Sequence, residues 1–264
     1  DFASSAGSET SRGPWPCLVP IKPTGSRRPF FCVHGAKAKV LNFRELGRLL
    51  LPDQPFYGLQ MQGLNGVDPF HQSIQEMAAH YVSEVRQQQP AGPYFLGGFS
   101  GGGLVALEMA AQLRDAGQEV ALVLLFDAPA PGYHRMRAFP WFQLRNAESV
   151  LQYGPSFLWD KVRGRYYWWN WGKGRPSGID FNHFDSVLAG HTAAAYDGHT
   201  VLLRVKTRVY PDDLGWNRWI TRGIESHPVS GAHESMWREP HVRVLAGLVS
   251  DALQQARTAD GSPQ

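Results

Sequence analysis

Apolar residues in this chain fall into short continuous runs separated by longer amphipathic stretches. Pro29-Phe30-Phe31-Cys32-Val33-His34 is one such run, and because it is apolar throughout and stops at His34-Gly35, it reads as a strand buried on both faces that ends at a turn. A helix-like stretch from about Leu41 to Leu51 follows, closed by Pro52. Phe56 to Leu59 reads as another strand. After a Gly-rich turn Ser73 opens a helix, with Glu76 three residues on completing a capping box. Ile74, Met77, Ala78, Tyr81, Val82 and Val85 then share one helical face, and Pro90 ends the run.

Tyr94-Phe95-Leu96-Gly97 predicts the next strand and leads into a Gly98 to Gly103 turn. Leu104 to Ala116 is helical in pattern, with Gly117 as its stop. Val120 to Phe126 is a further apolar run ending at Asp127. Strands alternating with helices at this spacing predict an α/β fold with a mostly parallel central sheet and helices on both faces. From about Ala128 to Gly198 aromatic and basic residues dominate and the alternation is lost, as expected of an insertion over a site. Val201 to Val205, Ile224 to Val229 and a closing helix over Pro240 to Ala256 restore the rhythm. No internal repeat is present. The first 17 residues, rich in Ser, Gly and Pro, read as a linker, and residues 18–264 as one domain carrying an inserted lid at about 129–198.

Composition narrows the field. A chain of 264 residues suffices for one sizeable α/β core, and a formal charge of +3 calls for neither nucleic acid nor a membrane surface. Cys17 and Cys32 form no CxxC pair, and no apolar run reaches the eighteen or so residues of a transmembrane helix. The start has neither the charge nor the apolar centre of a secretory signal, so a cytoplasmic location is expected.

A hydroxyl is a poor nucleophile at neutral pH, so serine catalysis needs exposure at a sharp turn, a base, a carboxylate to orient the base, and donors for the oxyanion. Ser100, in Gly98-Phe99-Ser100-Gly101-Gly102 between a strand and a helix, has the context of a nucleophile elbow. A phosphate loop is the competing reading of such a turn, but no Gly-Lys-Ser/Thr follows. Asp127 stands at the end of the next strand, where sites form at the carboxyl ends of parallel strands. Asp212 and Asp213, after a later strand, compete for the same role. His233, between the last strand and the last helix, gives the order Ser, Asp, His. His227 lies inside the apparent strand, and His183, His191 and His199 lie in or beside the insertion. Without HxxxH or Cys/His spacing the histidines suggest no metal site. The backbone amides of Gly101 and Ala36 occupy the places expected of oxyanion donors.

Together these blocks resemble the type I thioesterase domains that end nonribosomal peptide and polyketide synthases. Leu18-Val19-Pro20 through Phe30-Phe31-Cys32-Val33-His34-Gly35, Gly97 to Gly102, Leu125-Phe126-Asp127-Ala128-Pro129, and Gly231-Ala232-His233 with Arg238-Glu239-Pro240-His241-Val242 are similar to that family's blocks, in its order. The resemblance implies an α/β-hydrolase fold with a variable lid after the sixth strand and the acid directly after that strand, which favours Asp127 over Asp212 and Asp213. It also implies an acyl or peptidyl thioester delivered on the phosphopantetheine of an upstream carrier domain, transferred to Ser100, and released by hydrolysis or macrocyclisation, with no cofactor bound by this domain. A stand-alone esterase or editing thioesterase with the same triad is the alternative, and a noncatalytic scaffold a third. One departure is local: where the family continues with glycines after His34-Gly35-Ala36, this chain has Lys37-Ala38-Lys39.

The insertion holds Tyr166-Tyr167-Trp168-Trp169 and Trp171 among basic residues from Arg135 to Arg175. Such a surface could dock an acidic carrier domain, and Trp168 and Trp169 could cover an acyl chain; the plainer reading is a lid packed on itself with solvated charges.

Overall fold

The computed structural model describes residues 16–131, 182–191, 193–205 and 212–259. Trp168, Trp169 and most of the insertion lie outside these residues. Seven described strands, β1 (Leu18–Lys22), β2 (Phe30–Val33), β3 (Phe56–Leu59), β4 (Tyr94–Phe99), β5 (Val120–Phe126), β6 (Thr200–Val205) and β7 (Glu225–Val229), form one sheet in the order β1-β3-β2-β4-β5-β6-β7. All neighbours are parallel except β1, which runs antiparallel to β3 at the edge.

The alternation of side chains along the central strands divides the core between the two faces of the sheet. Leu96, Val123 and Leu125 pack with α2 (Ile74–Gln88) and α3 (Gly102–Asp115) on one face. Phe95, Leu122, Leu124 and Phe126 face the opposite way, with Leu46 of α1 (Arg44–Leu49) and Val242, Leu245 and Val249 of the C-terminal helix His241–Ala259. This is the α/β-hydrolase arrangement of a mostly parallel sheet covered on both faces.

Four details depart from the sequence reading. β1 lies where a linker was expected to give way to unassigned chain; Pro20 breaks its alternation and is tolerated because β1 is an edge strand. The stretch from Leu41 begins as a 3-10 turn over Leu41–Phe43 and becomes α-helical only at Arg44. β4 continues through Gly98 and Phe99, and α3 starts at Gly102, so the predicted six-residue turn shrinks to Ser100 and Gly101. The capping box is also shifted by one residue: Ser73 Oγ accepts the Glu76 amide at 3.0 Å, but Glu76 Oε2 accepts from the Gln72 amide at 2.7 Å.

Candidate active site

Ser100 sits at the tip of the shortened turn with φ +54°, a left-handed conformation that a non-glycine residue rarely adopts. Two backbone hydrogen bonds hold it there. Its amide extends the sheet by donating to the Phe126 carbonyl at 2.9 Å, and its carbonyl accepts from the Gly103 amide at 3.1 Å. The surrounding glycines are dictated by contact: a Cβ at position 98 would lie 2.1 Å from the Gly102 carbonyl oxygen, and one at 102 would lie 2.1 Å from the His34 carbonyl oxygen. Strand, turn and helix therefore pass at backbone distance.

Asp127 follows β5, itself at φ +42°, with its amide bonded to the Leu203 carbonyl at 2.8 Å. Counted among the described strands, the preceding strand is the fifth and not the sixth that the resemblance implies, because a single antiparallel strand precedes the parallel ones. Its carboxylate is divided between two partners. Oδ1 accepts the Val205 amide at 3.0 Å, and Oδ2 faces His233 Nδ1 at 2.6 Å. With Nδ1–H given to the carboxylate, the basic nitrogen of the neutral ring is Nε2.

His233 stacks on Phe99, the residue before Ser100, at 4.6 Å between ring centroids and 29° between planes. The same Phe99 meets Trp237 edge-on at 5.1 Å, and Trp237, buried, also packs on Phe43 and Phe126. The structure thus brings Asp127 and His233 into contact and seats the His233 ring on the neighbour of Ser100. Phe99 as the packing partner of His233, and Trp237 as that of Phe99, escaped the sequence reading, since a sequence does not show which ring an aromatic will meet.

The rival groups are engaged elsewhere. Asp212 pairs with the buried Arg204, and Asp213 caps the 3-10 turn Trp216–Arg218 through the Gly215 and Asn217 amides, both at 3.1 Å. His227 lies in β7 beside Glu225 at 2.6 Å, His183 donates to the His71 carbonyl at 2.7 Å, and His191 is 3.2 Å from Gln75.

Gly101 follows Ser100 directly, and Ala36 lies in an exposed turn after β2, the strand beside β4, closed by the Ala38 amide on the Gly35 carbonyl at 2.8 Å. Beneath that turn His34 is fully buried. Its Nδ1–H donates to the Gly35 carbonyl at 2.7 Å, and Nε2 lies 3.1 Å from the Tyr81 hydroxyl, which donates to the Gln60 carbonyl at 3.0 Å. Burial pushes its pKa down to about 4, so the ring is neutral at pH 7. At the surface, Lys37 Nζ reaches Glu234 Oε2 at 2.8 Å, joining the residue after Ala36 to the residue after His233.

Residues 28–138 match the model of the thioesterase domain family. The chain belongs to that family. As a thioesterase domain it is 32% identical over 250 residues to malpinin synthetase and 30% identical over 250 residues to malpibaldin synthetase, both of Mortierella alpina; each match covers 90% of this chain. The thioesterase domain spans only 3% and 4% of those two relatives' lengths. A solved neighbour, the NocB thioesterase domain from the nocardicin cluster in covalent complex with a fluorophosphonate nocardicin G analog, superposes with a TM-score of 0.67 at 29% identity, covering 90% of this chain and 98% of that one. The chain is therefore a hydrolase of the α/β fold within a family of acyl-transferring enzymes. Among its described residues no helix is long and apolar enough to cross a membrane.

Proposed function

We propose that this domain releases an acyl or peptidyl chain from the phosphopantetheine thioester of an upstream carrier domain, with Ser100, Asp127 and His233 as its triad. The observation that carries the reading is the Asp127 to His233 hydrogen bond at 2.6 Å, on a ring stacked against the neighbour of a left-handed Ser100. In this reading His233 Nε2 takes the Ser100 hydroxyl proton as Oγ attacks the thioester carbon. The Gly101 and Ala36 amides receive the oxyanion. Collapse breaks the carbon–sulfur bond, and His233 returns the proton to the departing thiol. Water, or a hydroxyl or amine of the chain itself, then attacks the acyl-enzyme through the same base, giving an acid or a macrocycle. Residues 18–264 act as one domain in the cytoplasm. The similarity to synthetase relatives supports the carrier-bound substrate.

A fluorophosphonate followed by intact mass should add one label to the wild type, at Ser100, and none to Ser100→Ala. Equal labelling of both proteins overturns the nucleophile. A panel of carrier-loaded chains, read by product mass, tests the release step; turnover of free esters as fast as of carrier-linked chains would favour a stand-alone esterase.

A further inference from the structure

At the sheet edge, where β1 begins against α2, the Cys17 thiol, the His80 imidazole and the Glu84 carboxylate converge. One ligand atom from each lies within 4.8 Å of the others, and His80 Nε2 is 3.1 Å from Glu84 Oε1. Among the described residues no other three His, Cys, Asp or Glu side chains gather in this way.

The three groups are also oriented from behind. His80 Nδ1 faces His71 Nε2 at 2.8 Å, while Glu84 Oε1 and Oε2 accept the Cys17 and Leu18 amides at 3.0 and 2.6 Å. A histidine that ligates a metal almost always gives its other N–H to a fixed partner. His71 stands in that place, buried and packed edge-on to Tyr81 at 5.8 Å, with its carbonyl bonded to His183.

We propose that Cys17, His80 and Glu84 bind one zinc-type divalent cation that staples the start of β1 to α2, with water as the fourth ligand. Thiolate, imidazole and carboxylate together suit zinc, whereas calcium and magnesium take oxygen ligands. Charge favours the same ion: a thiolate and a carboxylate neutralise a divalent cation, leaving a half-buried site uncharged. On binding, the thiol proton leaves, and His80 and His71 each move their proton from Nε2 to Nδ1, so one proton is released per ion. Zinc bonds of about 2.0–2.3 Å set ligand atoms roughly 3.3–3.6 Å apart, so the set closes by an ångström or so, mostly at the thiol. Sequence spacing hid this cluster because His80 and Glu84 are one helical turn apart on α2 while Cys17 arrives from another element.

Titrating the metal-free protein with Zn²⁺ alone, by calorimetry, should show one equivalent bound. Cobalt(II) in its place should give a thiolate-to-cobalt absorption band that Zn²⁺ abolishes. Cys17→Ser should remove that band while Cys32→Ser keeps it. His71→Ala removes no ligand, yet should weaken Zn²⁺ binding by about 10–100-fold, and loss of a ligand should weaken it more. No stoichiometric binding, or equal affinity in wild type, Cys17→Ser and His80→Ala, overturns the site. If the Cys17 variant fails to fold, the wild-type cobalt spectrum decides, because binding without a thiolate band places the ion elsewhere.

Discussion

The two halves of the candidate site are held by different forces. Around Ser100 the constraint is backbone against backbone: Gly98 and Gly102 have no room for a Cβ, and the serine is held at positive φ by one hydrogen bond to the end of β5 and one from the first turn of α3. Around His233 the constraint is side chain on side chain, a carboxylate on one edge of the ring and Phe99 beneath it. The Ser100 side should therefore be intolerant of added volume, and the Asp127–His233 side intolerant of lost charge.

Removing the charge is the largest break. Asp127→Asn keeps the shape but lets the amide present N–H to the imidazole, which disturbs the tautomer; kcat should fall by ~10⁴. Asp212→Asn and Asp213→Asn should stay near wild type, since their partners are Arg204 and two turn amides. A full rate in Asp127→Asn together with a collapse in either of the others would move the acid to the later loop.

Adding a single methyl tests the other half. Gly102→Ala puts a Cβ 2.1 Å from the His34 carbonyl oxygen, with backbone on both sides and no side chain free to yield. Overpacking of this kind should destabilise the fold by about 3 kcal/mol in urea unfolding. Gly66→Ala is the control: its φ is +73° but nothing lies within 4 Å of the added atom, so only a backbone cost of about 1 kcal/mol is expected. Similar losses at both positions would mean that close approach does not hold the elbow.

What the chain betrayed in advance follows the same division. The elbow, β3, β5 and α2 were legible because their determinants are local: a glycine spacing, an apolar run, an N-cap. In the sequence Asp127 is one of three candidate acids, and what sets it apart is the contact of its Oδ2 with His233, between positions far apart in the chain. Phe99 under His233, and the extension of β4 through Gly98, were hidden because glycine beside a turn looks like part of the turn. The Cys17, His80 and Glu84 cluster was illegible for the same reason as Asp127: its meaning lies in pairing across elements.

Beneath the Ala36 turn, His34 makes the stability of the fold depend on pH. Burial, reinforced by the nearby His71 and opposed by the Gly35 carbonyl, lowers its pKa to about 4, against about 6.5 in the unfolded chain. Between those values the unfolded state takes up a proton that the folded state refuses. Stability is thus full above pH 6.5 and falls as pH drops toward 4, by up to about 3 kcal/mol from this group. His34→Gln should flatten that slope in unfolding titrations between pH 7 and pH 4. An unaltered slope would assign the acid sensitivity to other groups.

The smallest effect belongs to the contact that crosses between the halves. Lys37 and Glu234 adjoin Ala36 and His233, so their ion pair ties the Ala36 turn to the His233 loop, and it does so where the family pattern has glycines in place of Lys37-Ala38-Lys39. Both side chains are more than half exposed, at 56% and 55%, so water and salt screen the attraction. Exposed pairs contribute roughly 0.2–1 kcal/mol, which limits the effect on acylation to below about fivefold. Lys37→Glu and Glu234→Lys should each slow labelling of Ser100 within that limit. The double charge swap should restore most of the rate, and high salt should bring the single variants and wild type together. A merely solvated pair predicts additive losses and no salt convergence, so a double variant as slow as the product of the two singles would show that the halves move independently.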